Sequence, residues 1–277
     1  MLIEHCRHHD MRLIYDLDDD LLAIAESAHP ERHYYAAYAP SIRLLVAQAD
    51  EVRVSTSVLK QRLDGLSDHV RLVPNALDAD TWLLHGSAPA RETGGPVSIL
   101  YMGTLTHGAD FALVKGALRR IKETFGRAVS IKVIGVTSER EGAEWCDFVE
   151  VPAHASSSYP AFAEWLAGQR GFDIGIAPLA DSEFNKGKSG IKFLDYAALG
   201  LAVICSDVDA YRGIVKDGGT GLLVSNDDEA WYAAIHQLIT DENLRNRLAR
   251  AAREELVAHH TLQSQVGSAP FCWGAER

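Results

Sequence analysis

The chain lacks any apolar run approaching the roughly 18 residues of a membrane helix, so no membrane span is expected, although peripheral membrane contact stays open. It is also short of positive charge: 27 Lys and Arg stand against 38 Asp and Glu, a formal net charge of -11. Such a surface repels a phosphate backbone, which argues against DNA or RNA as a partner. Cysteine is scarce, and Cys6, Cys146, Cys205 and Cys272 form no CxxC pair. They read as reduced thiols in a cytoplasmic protein. The first ten residues, MLIEHCRHHD, are polar, so no secretory leader is expected. The letters HCRHHD look metal-binding, but such spacing near a terminus reads as accidental. The glycine-rich first turn usual in a nucleotide-binding Rossmann domain is missing from the front of the chain.

What is present fits an ordinary α/β protein. The 277 residues suggest two domains, and 47% hydrophobic with 23% charged residues can build a core. Short apolar strands at 12–15 and 51–56, and a strand over 70–78 that runs into a Pro-Asn turn, alternate with a stretch at 33–49 that is helical towards its end and a helix at 57–63. A segment rich in Gly, Pro and Ala, 85–96, reads as a linker. The alternation then restarts. Strands are expected at 97–103, 129–135, 148–152, 172–179, 202–207 and 220–224. Helices are expected at 110–125, 159–169 and 189–199, and over the two closing stretches with Asp228 and Asp241 near their starts. Trp145, Trp165 and Trp231 fall in patterns that suit the core. The pattern implies parallel sheets with helices on both faces, with ligands beyond the carboxyl ends of the strands. Gly103, Gly135 and Pro178 end strands and allow a close approach of backbone to ligand.

The most informative stretch is SEFNKGKSGIKFLDYAALGLAVICSD, 182–207. Gly187-Lys188-Ser189 has the last letters of an ATPase phosphate loop. That loop needs a glycine where Ser182 stands, and Glu183 and Phe184 would spoil its nest of N–H groups. Lys186, Lys188 and Lys192 nevertheless crowd the start of a helix that Ser189 or Gly190 could cap. A helix N-terminus is a ready anion site. Asp195 follows Lys192 by three residues, on the same face and about 5 Å along the axis. A carboxylate there suits ribose hydroxyls rather than phosphates. A plain surface helix with a Lys192–Asp195 salt bridge is the competing reading.

The run DIGIAPLADSEFNKGKSGIKFLDYAALGLAVICSD resembles the nucleotide-sugar motif of GT-B retaining glycosyltransferases, the large family called group 1 or family 4. YMGTLTH, 101–107, resembles that family's first strand and glycine loop in the C-terminal domain. RLVPNALD, 71–78, resembles the end of its N-terminal domain, and the stretch from Thr220 the end of its C-terminal domain. The resemblance runs from Met11 to about His260. It implies two Rossmann-like domains of GT-B type: 1–84 as a partial, acceptor-side domain and 97–260 as the nucleotide-sugar domain. The tail 261–277 is left free to pack back on the first. It implies sugar transfer from a nucleotide diphosphate sugar to a glycan or lipid-linked acceptor, as in cell-surface polysaccharide synthesis, with retention and without a metal or other cofactor. Gly103 and Thr104 match the loop that approaches the diphosphate, and Lys188 and Lys192 match basic positions around it. Asp195 matches the second acid of a paired-glutamate motif, the one that holds the ribose. The first acid falls on Gly187, so Lys186, Lys188 or the backbone N–H groups of Ser189, Gly190 and Ile191 are left to take its contact.

Three readings of YDLDDDLL, 15–22, stay open: helix capping, a metal-binding DxD, and an acceptor-side role. For the last, Asp18 aligns best with a catalytic position facing the acceptor, where it could deprotonate a hydroxyl. His107 either contacts the diphosphate or sugar, or caps the next helix. About 80 residues before the linker suffice for two or three strands only. The chain then reads as a fragment, or as a shortened member completed by a partner chain or another copy. A non-catalytic nucleotide-sugar-binding subunit is the alternative function, and an epimerase-like use of the fold a weaker one.

Overall fold

The computed structural model describes residues 2–26, 32–83, 94–103, 107–135, 144–169 and 171–266. The expected linker lies largely outside them, as do Thr104 and Cys272. In chain order the first elements are α1 (Leu2–His8), β1 (Ile14–Leu17), α2 (Leu21–Glu26), α3 (Arg32–Gln48), β2 (Glu51–Val54), α4 (Ser57–Arg62), β3 (Val70–Leu72) and α5 (Ala79–Trp82). Then come β4 (Val97–Gly103), α6 (Gly108–Ala112), α7 (Lys115–Phe125), β5 (Val129–Gly135), β6 (Asp147–Val149), α8 (Tyr159–Ala167), β7 (Ile174–Ala177) and α9 (Glu183–Lys186). The last are α10 (Ile191–Ala198), β8 (Ala202–Ser206), α11 (Asp209–Arg212), β9 (Leu222–Val224), α12 (Asp228–Thr240), α13 (Glu242–His259) and α14 (Leu262–Val266).

The chain divides into two compact units. The first holds Met1–Asn75 with Asp181–Ser189; the second holds Ala76–Ala180 with Gly190–Arg277. In the first, β1, β2 and β3 form a parallel sheet in that order. The register puts Tyr15, Val52 and Val70, then Leu17, Val54 and Leu72, on one face. Tyr15, Leu17, Val52, Val54 and Val70 of that face build the unit's core with Ile42, Val46, Leu59 and Leu63, while Leu72 is exposed. The opposite face is charged. Glu51, nearly buried, accepts from Arg12 at 2.5 Å and Arg53 at 2.8 Å, with Arg71 at 3.8 Å. Buried parallel strands ordinarily read as apolar on both faces, so this sheet keeps one polar side through a local ion network.

In the second unit six parallel strands run in the order β6-β5-β4-β7-β8-β9. Strand order reverses between β4 and β7, which makes that gap the switch point of a doubly wound fold. Every residue of β7 and β8 is buried, as are the first six of β4. Both faces are covered, by a cluster around Phe193, Tyr196 and Leu256 and by another around Tyr101, Ile121 and Trp231. The expected helix over 110–125 is interrupted. Leu113 N–H bonds to Asp110 C=O and Val114 N–H to Phe111 C=O, tighter turns that separate α6 from α7. Trp231 is fully buried, and Trp145 and Trp165 pack against the two clusters.

At the switch point β4 and β7 pair only at Ile99↔Ile174 and Leu100↔Gly175. Beyond that the Tyr196 hydroxyl bridges them: it accepts from Met102 N–H at 3.0 Å and donates to Ile176 C=O at 3.1 Å. A Cβ at Gly175 would lie 2.5 Å from the Tyr196 ring, so glycine is what lets the ring sit there. This bridge fixes α10 over the gap. Tyr196→Phe strands a buried N–H and is expected to cost about 1–3 kcal/mol, read as a lower urea midpoint with unchanged m-value.

Candidate functional site

The acidic run divides in the first unit. Asp20 caps α2, its Oδ1 accepting from Ala23 N–H at 2.9 Å, with Arg62 at 3.4 Å. Asp19 pairs with Lys188 at 3.3 Å. Asp18, exposed just past the carboxyl end of β1, accepts from Asn75 Nδ2 at 2.8 Å. Asn75 Nδ2 also donates to Ser189 Oγ at 2.8 Å. Among the described residues no group of three acidic, His or Cys side chains could hold a metal.

The 181–189 segment belongs to this unit. Thr56 donates to Gly187 C=O at 2.9 Å, and α9 packs near α2. Lys186 reaches back to Glu183 at 2.5 Å, and the Lys188 ammonium also lies 4.5 Å from the Phe184 ring centre. A Cβ at Gly187 would come within 3.0 Å of Asp20 Cβ. The position where the resembled motif has its first acid is thus tight here. The lysines expected to act together therefore divide: Lys186, Lys188 and Ser189 lie in the first unit, and Gly190, Ile191 and Lys192 in the second. Of the two caps proposed for α10, the structure uses Gly190, which has no side chain to bond, while Ser189 is engaged by Asn75. A Cβ at Gly190 would lie 2.9 Å from Ala210 C=O and 2.6 Å from Ile214 Cγ2, so the helix start is pressed against α11 and the turn after it.

In the second unit α10 carries Lys192 and Asp195. Asp195 is 9% exposed, and its Oδ1 is buried with no hydrogen-bond partner among the described residues. Burial pushes its carboxyl up to about 7, against the pull of Lys192 one turn earlier. The Lys192 ammonium is buried 5.8 Å from the Tyr101 ring centre. A buried acid with an open acceptor costs stability; strongly shifted groups of this kind cluster at functional sites. Gly103 closes β4 beside the same gap. His107 stands at the N-cap of α6 without capping it; its Nδ1 lies 2.6 Å from Asp110 Oδ2. Asp110 Oδ1 accepts from Ala180 N–H at 2.8 Å. Asp110 was not expected from the sequence; its signal is the His-x-x-Asp spacing at a helix start.

Residues 181–255 match the family described as glycosyl transferases group 1. The group 1 segment begins at the loop before α10 and covers Lys186 to Asp195. The chain is 27% identical to the phosphatidyl-myo-inositol mannosyltransferase of Mycolicibacterium smegmatis over 74% of this chain and 52% of that protein. It is 35% identical to the protein of the same description in Mycobacterium leprae, over 32% of this chain and 23% of the relative. The chain thus spans about half, or less, of these relatives' length. Its fold is of the GT-B type. It is similar to that of Anabaena HepE, solved in complex with UDP and glucose, with a TM-score of 0.68 and 13% identity over 96% of this chain and 73% of that one. It is similar also to a glycosyltransferase from Rickettsia africae, with a TM-score of 0.62 and 13% identity over 96% and 77%.

Proposed function

We propose that the chain transfers a glycosyl group from a nucleoside diphosphate sugar to a hydroxyl of a glycan or lipid-linked acceptor. The observation that carries this is the buried Asp195 with its open Oδ1, one turn after Lys192, on a helix placed at the switch point of a doubly wound sheet. The group 1 match over the same residues supports it. So do relatives named as mannosyltransferases, and a neighbour in fold solved with UDP and glucose.

In this reading Asp195 accepts from the ribose hydroxyls through the oxygen that has no partner here. Lys192 and the N–H groups at the start of α10 draw charge onto the departing diphosphate, an electrostatic contribution that needs no metal. Gly103 lets the backbone approach the phosphates. In the first unit, Asp18 orients the acceptor hydroxyl and takes its proton. The anomeric configuration is retained. Buried reduced thiols at Cys6, Cys146 and Cys205 suit a cytoplasmic enzyme. Transfer onto cell-surface polysaccharide is the setting that suits these parts.

The test is a panel of UDP-, GDP-, dTDP- and ADP-sugars, read first by thermal shift and then by donor hydrolysis and transfer. One donor is expected to raise the melting temperature through binding and to be consumed. Binding without turnover in any acceptor screen would replace the transferase by a nucleotide-sugar-binding subunit. Lys192→Ala is expected to weaken that donor at least tenfold, measured by calorimetry, while the nucleoside without phosphates is unaffected.

A further inference from the structure

One buried carboxylate outside the residues assigned so far ties two loops together at the switch point. Asp110 is 5% exposed and uses both oxygens. Oδ2 lies 2.6 Å from His107 Nδ1 and Oδ1 accepts from Ala180 N–H at 2.8 Å. His107 follows β4 and Ala180 follows β7, the two strands that flank the gap. The Ala180 side is itself held. Ser206 Oγ accepts from Leu179 N–H at 2.8 Å and donates to Asn226 Oδ1 at 2.6 Å, and Asn226 Nδ2 donates to Leu179 C=O at 2.8 Å. On the other side the Tyr101 hydroxyl reaches His107 C=O at 3.5 Å. His107 and Ala180 are therefore both held by polar groups, and Asp110 is the link between them.

The pairing also decides which face of the imidazole is used. With Nδ1–H donated to Asp110, Nε2 is turned to the far side of the ring, and the side chain keeps 16% of its surface open. We propose that Asp110 is a positioning residue for the donor: it orients His107 through Nδ1 so that the Nε2 edge of the ring faces the diphosphate, donating to it when both ring nitrogens carry a proton, and holds the β7 loop in register through Ala180. This rests on the transferase reading above. A carboxylate behind an imidazole is a known way to fix its tautomer and orientation.

The experiment compares the whole chain with Asp110→Asn, Asp110→Ala and His107→Gln. Asp110→Asn retains an oxygen for Ala180 N–H and is the variant expected to fold; Asp110→Ala reports on the link between the loops. The first readout needs no ligand: imidazole 15N shifts of His107. The wild type is expected to show a protonated Nδ1, and Asp110→Asn a changed tautomer mixture. The second is calorimetry with the nucleoside diphosphate of the donor that the panel identifies, beside the matching nucleoside. Asp110→Asn and His107→Gln are each expected to lose about 10–100-fold in diphosphate affinity, as groups behind a ligand-holding histidine do, with nucleoside affinity unchanged. An unchanged His107 tautomer in Asp110→Asn, or wild-type diphosphate affinity in that variant, overturns the proposal while the transferase reading stands. If the wild type itself binds no nucleotide, it is the transferase reading that falls.

Discussion

Asp195→Asn is expected to raise the melting temperature at pH 8 while abolishing donor binding. The carboxyl is pushed from an ordinary 3.8 to about 7 by burial, with Lys192 opposing. An acid whose folded-state value lies above its unfolded one destabilises the fold once the unfolded chain ionises. The penalty is absent below about pH 4, grows through the window up to pH 7, and is complete above it. Three pKa units correspond to on the order of 4 kcal/mol. The amide carries no charge, so the variant escapes that penalty and is expected to melt about 5–10 °C higher at pH 8, with the gap closing towards pH 4. The ribose contact needs a strong acceptor at Oδ1, which an amide supplies weakly and can present with its NH2 instead. A variant that gains stability and loses its ligand is the mark of a site residue. One that loses both would make Asp195 a structural counter-ion to Lys192.

The second large effect lies in the other unit. Asp18→Asn is expected to lower kcat by about 10²–10⁴, the range of a general base, with donor affinity unchanged. The residue stands just beyond the end of β1, and its Oδ1 takes the Asn75 amide. Its neighbours are already spent: Asp20 on the start of α2 and Asp19 on Lys188. Asp16 and Asp18 are the exposed members of the run, and Asp18 is the one that stands past the end of the strand. Because it is exposed, the substitution is not expected to alter folding, and the melting temperature should stay within about 1 °C. Equal kcat in Asp18→Asn and wild type would remove Asp18 from the mechanism without touching the donor site.

Much of the second unit was legible in the residues. VSILYMG and AVICS are nearly continuous apolar runs, the form a central parallel strand takes when helices cover both faces, and VSIKVIG alternates towards its start. Their order in the sheet then follows from right-handed crossovers. Gly190 and Asp195 could be placed at the start of α10 and one turn after Lys192 because both are local features of one helix. What stayed hidden was tertiary. No local pattern says that 181–189 clusters with the N-terminal unit, since that depends on Thr56, Asn75 and Asp19, all more than a hundred residues away. The choice between Ser189 and Gly190 as the cap was hidden for the same reason: Ser189 suits a cap by type, but Asn75 claims its hydroxyl and Gly190 takes the place. Asp110 was read as the opening of a long helix, although its distance of three from His107 was in view. Pro40 obscured α3, which runs unbroken from Arg32 to Gln48 with the proline inside. The charged face around Glu51 gave no signal, because alternation over strands of three or four residues is too brief to separate an ion network from an exposed edge.

The account stands most directly on where a sugar nucleotide touches the chain, and hydrogen–deuterium exchange with and without the donor measures that. Protection is expected over Ile191–Ala198 and over the stretch from Gly103 to Phe111, with the outer strands β6 and β9 unchanged. Protection confined to other segments, with α10 exchanging as it does without ligand, would contradict it.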